Sequence, residues 1–218
     1  MIRDSRILIA EWYRGKLRGD YPLTFKEYKY LIWSDLYRWN GQMSMSLLIS
    51  HLFQGESYKY SFWMRTCRFA RSHPLLKYSL YPLAAIMLNH YRYKLGISIP
   101  YQTDISSGLY IGHFGGVVVH PLAKIGKNCN ISQGVTIGQA NRGKYKGYPC
   151  IGDNVFIGPG AKILGAVHIG NDVAIGANCV VTKDVPDNAV VAGVPGRVIS
   201  FEGTTDYIIH TDYDDKLN

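Results

Sequence analysis

Residues 151–181 read IGDNVFIGPGAKILGAVHIGNDVAIGANCVV, and an aliphatic side chain falls on every sixth position: Ile151, Ile157, Ile163, Ile169, Ile175 and Val181. Glycine follows at Gly152, Gly158, Gly170 and Gly176. The beat extends upstream through Ile99, Ile105, Ile111 and Val117, then through Val119, Ile125, Ile131 and Ile137. A period of six is neither helical nor simply alternating, so it marks an internal repeat. One aliphatic residue per hexad points inward, and the glycine after it suits a sharp backbone turn. Two positions earlier stand small or β-branched residues: Thr103, Ala123, Cys129, Val135, Val155, Ala161, Val167, Val173 and Cys179. Three hexads close one triangular coil, and coils stack at about 4.8 Å. The expected fold is a parallel β-helix of five to six coils over residues 96–200.

The rest of the chain has another character. Of 218 residues, 47% are hydrophobic, which excludes a disordered polymer, and the net charge is +8. Residues 1–95 hold 15 Lys/Arg against 6 Asp/Glu and 11 of the 17 tyrosines. The predicted division is a basic, aromatic helical region over 1–95, the β-helix over 96–200, and an acidic tail over 201–218. Helices are predicted over 62–70 and 75–93, with Pro74 at a start and Pro82 dividing the second. The apolar stretch 78–89 is too short to cross a bilayer. It fits a core or oligomer-interface helix, or a surface segment lying against anionic lipid. No nucleic-acid motif accompanies the basic charge. Residues 1–4 start no signal peptide, and the apolar run 7–10 is too short for one. Cys67, Cys129, Cys150 and Cys179 lack metal or redox spacing and read as packing residues in a reducing cytoplasm.

The repeat breaks twice, and repeat folds carry function at such points. After Ile111-Gly112-His113-Phe114-Gly115-Gly116 the register slips by two, from Val117 to Val119. Between Ile137 and Ile151 a polar, basic loop, Gln139 to Tyr148, is thrown out. His113 is the candidate general base, because an imidazole takes and returns a proton near neutral pH. His120 and His168 have weaker claims, and the three do not form a metal triad by spacing.

These residues resemble those of the hexapeptide-repeat acyltransferases, in the serine acetyltransferase-like branch. Residues 111–119 look like that branch's histidine segment, 130–138 like its following strand, and 192–199 like the wider family's closing motif. The resemblance implies a left-handed β-helix, a homotrimer or a dimer of trimers, sites between subunits, and acetyl-CoA as donor. His113 would be the base, with a backbone N–H near Gly138 and Gln139 for the oxyanion. Pro159 and Ala177 would border the pantetheine arm. Arg142, Lys144, Lys146, Lys183 and Arg197 would meet the CoA phosphates. No metal is implied.

Four positions depart from that branch. Ser98 stands where an aspartate orients the histidine, Gly112 where an aspartate holds the amino acid, and Gly147-Tyr148 where an Arg-His pair helps bind the acceptor. An amino acid's charged groups need opposing charges. The sequence therefore predicts a carbohydrate acceptor, with Tyr148, Ser98 and Gly112 on its side of the site. It predicts O-acetylation of a capsular, exopolysaccharide or lipopolysaccharide glycan, in the cytoplasm or at the inner face of the membrane. The alternatives are a serine O-acetyltransferase of cysteine biosynthesis and a non-catalytic β-helix module.

Overall fold

The computed structural model describes residues 23–217; the stretches 1–4 and 7–10 considered above lie outside the described residues. Helices come first. α1, Phe25–Asn40, opens with a capping box. There the Glu27 N–H donates to Thr24 Oγ1 at 3.2 Å, and the Thr24 N–H donates to Glu27 Oε2 at 2.7 Å. It stops at Gly41, whose φ of 64° is left-handed. α2, Met45–Phe53, is capped by Ser44. α3 spans Tyr58–Ser72, close to the first predicted helix; α4 spans Leu80–Leu95, and the residues after Pro74 form turns, so Pro74 does not start it. Pro82 does not divide the second. It falls in the first turn of α4, where its missing N–H costs no hydrogen bond. On α4 and the turns before it, Tyr78 (80% exposed), Leu83 and Ile86 face outward. Among the described residues no helix is long and apolar enough to cross a membrane.

From Ile97 the chain winds as a left-handed β-helix with three faces. The first holds Ile97–Ser98, Val117–Val119, Thr136–Gly138, Lys162–Leu164 and Val180–Val181, five parallel strands. The second holds Asp104–Ile105, Lys124–Ile125, Cys150–Ile151 and His168–Ile169. The third runs from Tyr110–Ile111 through Asn130–Ile131, Phe156–Ile157 and Ala174–Ile175 to Val190–Ala192. It ends in an antiparallel strand, Arg197–Ser200.

The six-residue beat becomes three columns of stacked aliphatic side chains. In the second face, Ile105, Ile125, Ile151 and Ile169 are direct partners. In the third, Ile111, Ile131, Ile157, Ile175 and Val191 are. All are buried in one core, as are the nine small residues two positions before the beat.

The glycines work differently from the sequence reading. The left-handed turn positions are held by Asn128, Asn154, Asp172, Asn178 and Asn188, with φ of 54–58°, and by Gly108, Gly134 and Gly160, not by the glycines that follow the isoleucines. The asparagine amides stack: Asn128 Nδ2 donates to Asn154 Oδ1 at 2.9 Å, and Asn154 Nδ2 to Asp172 Oδ1 at 3.0 Å. Gly158 is not at such a φ. It is needed because a Cβ there would sit 2.8 Å from Ile175 O and 2.9 Å from Ala177 N of the next coil.

A buried polar joint docks the helices on the first coil. Arg65 of α3 pairs with Asp35 of α1, Nε to Oδ2 at 3.1 Å, and donates to the carbonyls of Ile105 and Ser106 at 2.6 Å each. Asp35 also accepts the Leu109 N–H at 2.8 Å. Arg38 donates to Gly108 O, Asn130 Oδ1 and Ile209 O. The tail, opaque in the sequence, returns to this joint. Tyr213 is buried, with its hydroxyl donating to Asn128 Oδ1 at 2.7 Å, and Tyr37 donates to Asp212 at 3.0 Å.

Candidate active site

The first break of the beat is a loop, residues 112–116, leaving the third face and entering the first. It is clamped at its end. Gly115 N–H donates to Leu95 O at 2.8 Å, and Val117 N–H to Gly96 O at 3.1 Å. Gly134 N–H of the next coil donates to Gly115 O at 2.7 Å. The two-residue slip is absorbed inside one strand, where Val117 and Val119 both point inward and Val118 points out.

That rigid loop presents His113 outward, with 71% of its side chain exposed. Its Nδ1 lies 3.6 Å from Glu56 Oε2, in ion-pair range though longer than a hydrogen bond. Glu56 comes from the segment between α2 and α3. The contact engages Nδ1 and leaves Nε2 for chemistry. The other two candidate histidines hold structure. His120 Nδ1 accepts the Leu122 N–H at 3.1 Å, and His168 belongs to a second-face strand, its N–H donating to Asp184.

The predicted site residues fall on two edges of the prism. Above His113, the turns at Gln133–Gly134, Pro159–Gly160 and Ala177–Asn178 stack into one column. Gly160 N–H donates to Gln133 O at 2.9 Å, and Asn178 N–H to Pro159 O at 2.8 Å. His113, Pro159 and Ala177 therefore share an edge, and Gly112 is beside them, its N–H donating to Ile131 O. Gly138 and Gln139 lie at the far end of the first-face strands, where that face turns into the second. Lys183 follows the strand Val180–Val181 on the same edge and is exposed. Within one chain the first face separates the two groups. Arg197 is exposed on the closing antiparallel strand.

The thrown-out loop is a small hairpin closed by reciprocal bonds between Ala140 and Gly147, at 3.1 and 2.9 Å. Tyr145 packs against the core, and its carbonyl accepts the Ala166 N–H at 2.8 Å. Arg142, Lys144 and Lys146 are exposed around it, with Lys144 Nζ 5.3 Å from the Tyr145 ring centre. The Gln139 side chain donates to Asn141. Tyr148 does not stand open to stack on a sugar. Its ring already stacks on His120, centroids 4.5 Å apart at 24°. Ser98 pairs with Val118 in the first face and borders a cleft of about 220 Å3 with Tyr60, Arg92 and Tyr101.

The thiols are packing residues. All four are free, and burial pushes Cys67 and Cys129 up to about 12. Glu56 is the residue that sequence reasoning missed. It belongs to no repeat, and 57 positions separate it from His113.

Comparison with known proteins fits this geometry. Residues 151–183 match the family model described as bacterial transferase hexapeptide (six repeats). A serine acetyltransferase of Bacillus pumilus is 40% identical over 132 residues, 61% of each chain. The chain thus spans about three fifths of the length of the curated relatives it matches. Soybean serine acetyltransferase, as apoenzyme, superposes with a TM-score of 0.62 at 32% identity, over 79% of this chain and 69% of that one. A serine acetyltransferase of Neisseria gonorrhoeae in complex with serine gives 0.62 at 28%, over 81% and 70%. These relatives overturn the expected glycan acceptor and, with it, a role in polysaccharide biosynthesis. The charges missing at Gly112, Gly147 and Tyr148 therefore do not make the acceptor a glycan: likeness to serine acetyltransferases over the fold outweighs four local departures.

Proposed function

The chain belongs to the serine acetyltransferase family of hexapeptide-repeat transferases, and from that membership we propose that it moves the acetyl group of acetyl-CoA to the hydroxyl of L-serine. His113 Nε2 takes the hydroxyl proton as the serine oxygen attacks the thioester carbonyl. A tetrahedral oxyanion forms, and a backbone N–H at Gly138–Gln139 meets it. Collapse breaks the C–S bond, and His113 returns its proton to the departing thiolate. The products are O-acetyl-L-serine and CoA.

The two separated edges call for more than one copy. In a homotrimer, the His113 edge of one subunit faces the Gly138–Gln139 edge of its neighbour, and the cleft between them closes over the reactants. Donor CoA lies along Pro159 and Ala177. Arg142, Lys144, Lys146, Lys183 and Arg197 supply positive charge for its phosphates. Ser98, Gly112 and Tyr148 stay on the acceptor side, with Tyr148 held by His120 as a wall rather than a stacking platform. A reducing cytoplasm suits the four free thiols.

The observation that carries this reading is His113 itself, exposed on a clamped loop with Nδ1 toward Glu56. The test is thiol release from acetyl-CoA with L-serine as acceptor. Serine-dependent release is expected, and His113→Ala should lower it at least about a hundredfold. Absence of serine-dependent release from the unsubstituted protein refutes the acceptor; near-normal turnover in the variant refutes the base.

A further inference from the structure

We infer that Glu56 is the positioning residue for His113, a carboxylate supplied by the helical region in place of one from the β-helix. The inference rests on the proposed acetyl transfer with His113 as base. Among the described residues, Glu56 is the acidic side chain within ion-pair distance of the His113 ring. It meets Nδ1, the nitrogen that must carry a proton if Nε2 is to accept one. A carboxylate there favours that tautomer, fixes the ring plane and stabilises the imidazolium formed as the hydroxyl proton is taken. Ser98, at the position where the resemblance would place an orienting aspartate, carries no charge.

The backbone around Glu56 is built to hold it. On one side, Gly55 N–H donates to Ser50 O at 3.3 Å, and a Cβ on Gly55 would lie 2.5 Å from His51 O. On the other, Ser57 and Tyr58 are 0% and 1% exposed, and the Tyr58 hydroxyl donates to Ile32 O at 3.1 Å. Seven residues further along α3, Arg65 is locked into the joint with the first coil. The exposed carboxylate thus projects from fixed main chain. The His113 loop is fixed from its own side by Leu95 and Gly134. Both partners are held, so a small side-chain rotation closes 3.6 Å to a hydrogen bond.

The test is Glu56→Gln in the full-length protein, read in two ways. Steady-state kinetics should show kcat falling between about tenfold and a hundredfold, less than for His113→Ala, with KM for serine and acetyl-CoA unchanged. Side-chain 15N spectra of the histidines, with His113 assigned by its loss in the alanine variant, should show an Nδ1–H ring in the unsubstituted protein. The glutamine variant should shift toward Nε2–H, with its thermal unfolding unchanged. A raised KM for serine at constant kcat and tautomer would instead make Glu56 an acceptor contact and overturn the inference. So would no change in either readout. The spectra need no acceptor: if the unsubstituted protein is inert with serine, the acceptor reading falls while the tautomer still decides Glu56.

Discussion

Replacing Arg65 by methionine tests the joint on which this geometry depends. Arg65 and Asp35 are each 1% exposed, and their pairing puts two guanidinium nitrogens on the two carboxylate oxygens at 3.1 and 3.3 Å. The same guanidinium donates to Ile105 O and Ser106 O, so one side chain ties α3 to both α1 and the first coil. Methionine fills much of the volume and removes all four bonds. It leaves Asp35 buried, with the Leu109 N–H and a more distant Arg38 for compensation. Breaking a buried pair from one side costs about 3–5 kcal/mol. Burial already pushes the Asp35 carboxyl upward against the pull of Arg65, so the variant lets it take a proton and caps the loss near the lower end. The assay is denaturant unfolding followed by circular dichroism at fixed protein concentration, since assembly would add to apparent stability. Arg65→Met should lose about 3 kcal/mol, and Asp35→Asn with Arg65→Met should lose less than the two singles added together. A loss under about 1 kcal/mol, or strict additivity, would refute the claim that this pair clamps the helices to the β-helix.

Tyr60 makes a pH prediction. Its hydroxyl donates to Ile99 O and accepts from Ile99 N–H, both at 2.9 Å, and burial pushes its pKa up to about 12 from 10.0. Above pH 10 the unfolded chain loses this proton while the folded one keeps it, so stability is full below 10 and falls as pH rises toward 12. The two-unit difference is worth about 3 kcal/mol. Tyr60→Phe should unfold with a shallower alkaline slope and cost about 1–2 kcal/mol at neutral pH; an unchanged slope in alkaline melts would count against it. Gly158→Ala puts a methyl against the backbone of the next coil, which cannot swing away as a side chain would. It should cost about 1–3 kcal/mol in the same unfolding assay, and a neutral result would deny the close approach.

The β-helix was legible because its physics repeats. Each inward position asks for the same thing, an aliphatic side chain stacked on its like, so the demand surfaces as a beat from Ile99 to Val181. The helices were less so. α1 buries Asp35 and Arg38, which a periodicity reading counts as polar and solvent-facing, and only their partners on the first coil explain them. The acidic tail was silent for the same reason: Tyr213 and Asp212 matter through Asn128 and Tyr37.

The site divides along that line. His113 stood out because a repeat that stops repeating must have been interrupted for a reason, and the loop there is held by hydrogen bonds to Leu95 and Gly134. Its carboxylate was invisible. Glu56 meets His113 through the docking of the helical region on the first coil, to which Arg65 contributes, a relation no local spacing encodes. The expected glycan acceptor rested on charges absent at Gly112, Gly147 and Tyr148, and Glu56 does not replace them, since it faces the His113 ring. A stack of near-identical coils offers few places to put unlike groups face to face. The chain finds its unlike groups at the joint with the helices and, in the proposed trimer, across the subunit edge. Stability of the joint and rate of transfer should therefore move together: a variant that loosens Arg65 should also free Glu56 and lower kcat, even though Arg65 touches no reactant.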